Sequence, residues 1–173
     1  MERVAKFYKV SFGRFVEDYR RATGDQVSTD EELKGIYDAI RLPQRATAGS
    51  AGYDFYLPYA LLLGPGEGTM VVTGIRAQIA PGWVLMNVPK SGLGFRFRLQ
   101  LDNTVGVIDS DYFNSDNEGH IMAKLTNDCR EGRTLELPAG KAFMQGLFLP
   151  FGITEDDAAT GVRNGGFGST EKA

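Results

Sequence analysis

Short apolar segments separated by glycine- and proline-rich turns limit what this chain can fold into more than any other feature. Turn sequences such as Gly64-Pro65-Gly66, Pro81-Gly82 and Pro138-Ala139-Gly140 interrupt these segments along most of the chain. Glycine and proline provide the backbone angles that tight turns need. Because regularly spaced short strands are typical of β-sandwiches and β-barrels, the sequence predicts an all-β fold, with a jelly roll among the options.

The predicted strands are the apolar segments that lie between these turns. They cover residues 4–10, 52–56, 69–79, 83–88, 95–101, 105–108, 119–125, 134–137 and 142–149. The first segment alternates apolar and polar side chains, and this pattern predicts a strand at the edge of a sheet.

A single segment has the pattern of a helix. Thr29-Asp30-Glu31-Glu32 is a capping-box sequence, in which a threonine and a glutamate three residues later satisfy backbone N–H groups at a helix start. Apolar residues follow at helical spacing: Leu33, Ile36, Tyr37 and Ile40. We therefore predict one short helix over residues 29–40, inserted between the first strand and the β core and packed against the barrel. A partner-binding surface is the alternative interpretation.

The composition excludes several classes of function. The chain has 173 residues, which predicts one domain, and a formal net charge of −3 with no basic cluster. Nucleic acid is therefore not expected as a partner. The chain contains neither an apolar run of about 20 residues nor the apolar segment of a signal peptide, so we expect no membrane contact. With Cys129 as the single cysteine, the sequence fits a reducing cytoplasm.

The residue inventory also narrows the chemistry. His120 is the only histidine, which excludes zinc sites built on two histidines and argues against a Ser-His-Asp triad. The remaining catalytic groups are carboxylates, hydroxyls, lysine, arginine, backbone amides and a hard metal ion.

The segment from Gly106 to Tyr112 carries two carboxylates and a tyrosine at the end of an apolar strand. An aspartate at the end of a buried strand is costly to desolvate unless it is paired, hydrogen-bonded or functional. An aspartate-rich turn that closes a hairpin is the structural alternative.

Three further segments carry groups suited to a phosphate ligand. Pro89 to Gly94 offers a lysine, a serine and glycine amides, but it is not a Walker motif. Gln145 is an amide side chain within an apolar strand. The glycine-rich segment from Arg163 to Thr170 surrounds Phe167, which predicts either a frayed tail or a flap that stacks on a flat ligand.

Together and in this order, these segments resemble the five motifs of the trimeric dUTP diphosphatases (dUTPases). The first motif is Ala51-Gly52-Tyr53-Asp54, preceded by Leu42-Pro43 and Gly49-Ser50, and the resemblance covers residues 42–170. It implies a jelly-roll-like β fold and a homotrimer with active sites at subunit boundaries. The implied domain organisation is a single β domain over residues 1–162 and a flexible C-terminal flap over residues 163–173.

The same resemblance implies the reaction. A dUTPase hydrolyses dUTP to dUMP and pyrophosphate, which limits uracil incorporation into DNA and supplies dUMP for thymidylate synthesis. Magnesium is the implied cofactor, and it is held mainly by the substrate phosphates and water rather than by direct protein ligands.

The resemblance also implies a role for each matched residue. Asp109 would deprotonate the water that attacks the α-phosphorus, and Tyr112 would pack against the deoxyribose so that no 2′-hydroxyl fits. Asp54 would support the site by pairing with a cation. The implied phosphate ligands are Lys90, Ser91, Gly92 and Gln145. The implied uracil readers are Asn103, Met122 and the hairpin backbone, including Gly106, Val107 and Ile108. The implied closing residues, contributed by a neighbouring subunit, are Arg163, Phe167 and Gly168.

This chain departs from the family pattern at four places. Lys90 stands where the family has arginine, which keeps the charge and loses a bidentate fork. Ala142 stands where the fourth motif has arginine, and the spacing from Arg163 to Phe167 is one residue short. Residues 113–118 are an insertion, predicted as a solvated acidic loop because its spacing does not fit an EF-hand.

Two alternatives differ in class from dUTP hydrolysis. A deoxycytidine-triphosphate deaminase of similar fold would need a dedicated carboxylate acting at the base ring. A nucleotide-sensing regulatory protein would use the predicted helix or residues 113–118 to bind a partner protein.

Overall fold

The computed structural model describes residues 2–163, which form two main antiparallel sheets and a short strand pair. The strands are β1 Ala5–Lys9, β2 Gln44–Arg45, β3 Tyr53–Tyr56, β4 Leu61–Leu63, β5 Gly68–Ile79, β6 Trp83–Pro89, β7 Leu99–Leu101, β8 Gly106–Ile108, β9 Ile121–Asn127, β10 Leu135–Leu137 and β11 Ala142–Pro150. The helices are α1 Phe12–Thr23, α2 Asp30–Ala39 and α3 Ser91–Phe97, with a 3₁₀ turn at Ser110–Asn114. The sheet orders are β1-β5-β9-β7, β2-β3-β11-β6-β8 and β10-β4.

The core lies between the two larger sheets. Side chains on β9 alternate, so that Ile121, Ala123 and Leu125 are buried while Lys124 faces outwards. From the opposite sheet, Leu85 is fully buried in the same core. This alternation is what a sheet with one buried face requires. The predicted all-β, jelly-roll-like fold is confirmed, and β1 lies at a sheet edge as expected.

The predicted strand over residues 95–101 is wrong for its first half. Residues 91–97 form α3, and only Leu99–Leu101 is a strand. Aromatic and aliphatic residues alternate with polar ones here, which imitates strand periodicity. In the structure, Leu93 is buried, whereas Phe95 is 89% exposed. Packing of the helical face that carries Leu93 therefore overrides the local alternation.

The predicted helix is confirmed as α2, and its capping box is formed. Thr29 N–H donates to Glu32 Oε2 (2.8 Å), and Thr29 Oγ1 accepts from Glu32 N–H (3.3 Å). Leu33 is fully buried, so this helix packs against the protein as expected.

A single inserted helix was the prediction, and the structure corrects it, because α1 precedes α2. Ser11 caps α1 and Gly24 ends it in the left-handed conformation (φ 72°). The sequence carries a signal for this helix: Phe12, Phe15, Val16 and Tyr19 recur at helical spacing, after a serine suited to a helix N-cap. Phe15 is fully buried beneath the helix.

No helix within the described residues is long and apolar enough to cross a membrane.

Candidate active site

Three of the predicted site residues meet on neighbouring strands of the five-stranded sheet. On β11, Gln145 pairs with Asp54 of β3 on one side and with Val88 of β6 on the other. Lys90 follows the end of β6, and its Nζ donates to Asp54 Oδ1 (2.7 Å). The Asp54 side chain is only 14% exposed, so its carboxylate is largely buried. Its close partner there is the Lys90 ammonium group. We call Asp54, Lys90 and Gln145 the lysine group.

Gly52 leaves room for the side-chain amide of Gln145. A Cβ at this position would lie 2.4 Å from Gln145 Oε1, which is too short for any contact between these atoms. Any side chain at residue 52 would therefore displace the glutamine. The presence of glycine at this position of the first motif is therefore explained by the space that Gln145 occupies.

The second motif forms the first turn of α3. Ser91 and Gly92 are exposed there, and Leu93 and Gly94 donate their backbone N–H groups to Lys90 C=O (3.0 and 2.9 Å). The first N–H groups of a helix have no intrahelical acceptor, so those of Ser91 and Gly92 are suited to an anion. The sequence placed these residues in a turn and missed the short helix.

Asp109 and Tyr112 lie in a second location, at the end of β8. Asp109 is the residue before the 3₁₀ turn, and its C=O accepts from Tyr112 N–H (3.2 Å). Its side chain is 46% exposed, and Arg163 Nη2 donates to its Oδ2 (2.6 Å). The Arg163 Nε atom lies 3.0 Å from Asp111 Oδ1. We call Asp109, Asp111 and Tyr112 the aspartate group.

Tyr112 points its hydroxyl into the protein. The hydroxyl donates to His120 C=O (2.9 Å) and accepts from Asn117 Nδ2 (2.7 Å), and the residue is 6% exposed. Burial raises the pKa of the Tyr112 phenol, so the hydroxyl stays protonated and acts as the donor. What this tyrosine can offer to a ligand is therefore a face or edge of its ring, not its hydroxyl.

The predicted uracil readers lie on the strands and turns around the aspartate group. Asn103 is exposed in the turn between β7 and β8, which Thr104 N–H closes on Leu101 C=O (2.7 Å). On β8, Val107 is 57% exposed. Met122 is half-buried on β9, paired with Val72 of β5. The other two backbone readers, Gly106 and Ile108, complete β8.

One chain does not bring the two groups together. The pairing of β8 with β6 places Ile108 opposite Leu85. Asp109, the next residue, therefore lies level with the start of β6. Lys90 lies beyond the other end of the same strand, five residues from Leu85, or about 16 Å at the rise of an extended strand. The lysine and aspartate groups are therefore separated by most of the length of β6.

Residues 113–118 are not the solvated acidic loop that the sequence predicted. Ser115 is buried, and the Arg76 guanidinium lies 3.7 Å from the centroid of the Phe113 ring. The Glu118 carboxylate accepts two hydrogen bonds from Ser11, at the start of α1. Asp116 is exposed, as expected for an acidic loop, but the segment as a whole packs against α1 and β5.

Sequence reasoning missed the residues that hold Tyr112. Asn117 was assigned to the insertion, and His120 was considered only as a metal or triad residue. The one available signal was that a lone histidine lies just before an apolar strand. Two predicted site residues, Phe167 and Gly168, lie outside the described residues. Within residues 2–163, no cluster of three or more histidine, cysteine or carboxylate side chains is arranged to hold a metal ion.

Comparison with known proteins gives a consistent result. The dUTPase family model matches residues 38–171. A deoxyuridine 5′-triphosphate nucleotidohydrolase from Lactococcus lactis is 39% identical over 134 residues, which cover 76% of this chain and 88% of the relative. The corresponding protein of Shigella sonnei is 39% identical over 135 residues, 73% of this chain and 85% of the relative.

Solved structures share the fold. The dUTPase of Streptococcus mutans superposes with a TM-score of 0.59 at 39% identity, covering 66% of this chain and 88% of that one. A mutant dUTPase from phage phi11 of Staphylococcus aureus, described with a structural Mg(II) ion, has a TM-score of 0.56 at 19% identity, covering 70% and 90%. At that identity the second likeness concerns the fold alone.

Proposed function

The chain belongs to the dUTPase family and hydrolyses dUTP to dUMP and pyrophosphate, and we propose that the lysine and aspartate groups divide this reaction between them. The reaction removes dUTP, which limits uracil incorporation into DNA, and supplies dUMP for thymidylate synthesis. The observation that carries the division of roles is that Tyr112 lies in the 3₁₀ turn that directly follows Asp109, and both residues are distant from Lys90.

Asp109 is the proposed general base. It accepts a proton from water as the water oxygen bonds to the α-phosphorus, and the bond from that phosphorus to the pyrophosphate oxygen breaks. Two observations support this role: the carboxylate is nearly half exposed, and the end of β8 fixes its backbone. A carboxylate held in place is a suitable base near neutral pH. Arg163 contacts the same carboxylate and must give way to, or share it with, the attacking water.

The lysine group is the proposed phosphate-binding part. Lys90 Nζ uses one of its three N–H donors on Asp54, which leaves two for phosphate oxygens. Ser91 and Gly92 add a hydroxyl and backbone N–H groups, and Gln145 adds an amide on the neighbouring strand.

Tyr112 is the proposed sugar gate. Because its hydroxyl is tied to His120 and Asn117, the ring is held in one orientation, against which a deoxyribose packs and an added 2′-hydroxyl clashes. The base is read by Asn103, by the backbone of β8 and by Met122.

We further propose a homotrimer with active sites at subunit boundaries. The separation of the two groups along β6 supports it, because a complete site then needs the lysine group of one subunit and the aspartate group of another. In this arrangement residues 1–162 are the β domain. Arg163 contacts Asp109 of its own chain in this structure. In the proposed trimer, residues 163–173 are a flap, and Arg163 exchanges this contact for one over a neighbouring site, together with Phe167 and Gly168.

Magnesium is the proposed cofactor, held by phosphates and water. Mg²⁺ dehydrates reluctantly and usually keeps several waters while it binds substrate phosphates. The triphosphate bound by the lysine group, together with water, would therefore supply its ligands, without a direct ligand from the protein. When bound, the ion neutralises charge on the phosphates.

The single cysteine agrees with the cytoplasmic location that we propose.

The decisive experiment measures pyrophosphate release from dUTP, dCTP, dTTP and UTP, each with magnesium. We expect useful turnover of dUTP alone. A deaminated product from dCTP would instead indicate the deaminase alternative. Tight dUTP binding without turnover would indicate the nucleotide-sensing alternative.

A further inference from the structure

The N-terminal helix α1 is joined to the active-site turn by contacts that the dUTPase family match does not include. The match begins at residue 38, so α1 lies entirely before it. The segment that α1 contacts, residues 113–118, is itself predicted from the motif pattern to be an insertion. Two departures from the family thus meet in one place, directly behind Tyr112.

The first joint is a fully buried pair of side chains, Asp18 and His120. His120 Nε2 accepts a hydrogen bond from Gly74 N–H (2.8 Å). Its other ring nitrogen, Nδ1, therefore carries the proton and donates to Asp18 Oδ2 (2.7 Å). Both side chains are 0% exposed, so water cannot replace either partner. Arg14 and Arg21 of the same helix balance the charge of Asp18.

This joint fixes the backbone that holds the tyrosine. The carbonyl of His120 accepts the hydrogen bond from the Tyr112 hydroxyl (2.9 Å). Gly74 lies at an irregularity of β5, where a Cβ would lie 2.3 Å from Ile40 Cδ1. Because Gly74 and Asp18 hold the imidazole from opposite sides, the position of residue 120 depends directly on α1.

The second joint connects the start of α1 to the insertion. The Glu118 carboxylate accepts from Ser11 N–H (2.8 Å) and from Ser11 Oγ (2.6 Å). Glu118 and Gly119 both have positive φ (59° and 66°), and a Cβ on Gly119 would lie 2.6 Å from Tyr112 C=O. The chain therefore reverses sharply against the tyrosine backbone, and the serine holds that reversal in place.

From these contacts we propose that α1 sets the position of Tyr112, with Asp18, His120 and Glu118 as positioning residues for selection of deoxyribose over ribose. The inference rests on the proposed role of Tyr112 as the sugar gate. A gate that works by steric exclusion depends on small displacements of the ring, and both joints restrain the ring from behind. None of the three positioning residues is assigned a contact with the nucleotide.

The test compares kcat/KM for dUTP with kcat/KM for UTP in the full-length protein. Because both values come from one preparation, their ratio does not depend on the fraction of enzyme that is folded. Asp18→Asn removes the charge from the buried joint at nearly constant volume. Glu118→Gln and Ser11→Ala weaken the second joint at the surface, and both variants should fold even if Asp18→Asn does not.

We expect the dUTP/UTP ratio to fall by roughly 3- to 30-fold in Asp18→Asn, and by less in the other two variants. The matched control is Asp30→Asn, which removes the ion pair of Arg20 with Asp30 (2.9 Å) between α1 and α2, away from the turn. This control should leave the ratio unchanged.

An unchanged ratio in Glu118→Gln, Ser11→Ala and any folded Asp18→Asn, even with a lower Tm, would overturn the proposal and leave α1 a stabilising element only. Tyr112→Ala separates this failure from failure of the gate. If Tyr112→Ala lowers the ratio and the positioning variants do not, the sugar gate stands and the positioning role is wrong. If Tyr112→Ala also leaves the ratio unchanged, the gate itself is wrong, whereas dUTP hydrolysis by the unaltered protein reports separately on the reaction.

Discussion

At the scale of single residues, the site depends on charged side chains whose partners are already in place. Lys90 is bound to Asp54, and Asp109 is bound to Arg163. A carboxylate paired in this way keeps its orientation, which a general base and a phosphate site both need. Two substitutions test these assignments.

Asp109→Asn should lower kcat by about 10²- to 10⁴-fold, because an amide cannot accept the proton of the attacking water. Binding of a non-hydrolysable dUTP analogue should change much less, since the other groups that hold the nucleotide are intact. The measurements are steady-state kinetics and calorimetric titration. Asp111→Asn is the control, and it should retain most activity. A kcat near that of the unaltered protein would remove Asp109 from its role.

Lys90→Ala should raise KM for dUTP by roughly tenfold, the cost of losing one hydrogen-bonding charge. It also leaves the carboxylate of Asp54 without its cation in a position that is only 14% exposed, so Tm should fall. Lys90→Arg keeps the charge and is the matched control for both effects. If Lys90→Ala binds dUTP normally, the lysine serves Asp54 rather than phosphate.

At the scale of elements, the turn from β8 to β9 is the part of the fold where backbone conformation decides the site. This short stretch of chain contains the 3₁₀ turn, residues 113–118 and the start of β9. It carries Asp109, Tyr112 and His120. Several of these residues have no regular partner strand, so side-chain hydrogen bonds and positive φ angles define their shape. The next two predictions address that shape.

Gly119→Ala should destabilise the protein by about 1–3 kcal/mol, because residue 119 has φ 66° and a Cβ there would lie 2.6 Å from Tyr112 C=O. Chemical denaturation measures the loss. Gly152→Ala is the control, since a Cβ there meets nothing within 4 Å and the residue has no positive φ. Equal stability of the two variants would contradict the close approach at Gly119.

The contribution of Glu118 to stability should depend on pH. Burial alone raises the pKa of its carboxyl, but the hydrogen bonds from Ser11 and the charges of Arg76 and Arg14 outweigh burial, so the pKa lies below its ordinary value of 4.5. A carboxyl whose pKa is lowered by folding stabilises the protein above the ordinary value, and this stabilisation is lost as the pH falls below it.

Comparison of the unaltered protein with Glu118→Gln tests this dependence. The difference in free energy of unfolding should be largest above pH 4.5 and should shrink as the pH is lowered from there. A difference that is constant with pH would show that the ionised carboxylate is not what holds Ser11.

At the scale of the whole molecule, the separation of the lysine and aspartate groups predicts that activity depends on the proposed trimer. If each site combines groups from two subunits, two variants that are impaired in different groups can complement each other. Lys90→Ala and Asp109→Asn subunits, unfolded and refolded together in equal amounts, should regain activity at about one quarter of the sites, since each group is intact in half of the subunits.

The control for complementation is each variant refolded alone and assayed at a dUTP concentration well below KM. Lys90→Ala should then keep about one tenth of the activity of the unaltered protein, as its higher KM predicts, and Asp109→Asn should keep less. Mixing the variants without unfolding should restore activity only as fast as subunits exchange. Absence of recovery in mixed oligomers, verified by a size tag on one variant, would place both groups of a site on one chain.

The sequence by itself determined the β architecture, the helix α2 and the order of the motifs. These features are local: strand alternation, turn residues and a capping box lie within a few residues of one another. The residues named from the motifs also fall where strands end, as for Asp109 after β8 and Lys90 after β6.

Only the tertiary structure decided how the motifs are held. Residues 95–97 alternate like a strand, yet they belong to α3 because the helix buries Leu93. Asp18 and His120 are 102 positions apart in the chain, and nothing in their local sequence predicts that they pair. A buried charge is tolerated only when a specific partner meets it, and that partner is chosen by how the chain packs as a whole. The sequence motifs therefore point to the residues of the aspartate group, whereas only the fold shows that α1 packs behind them.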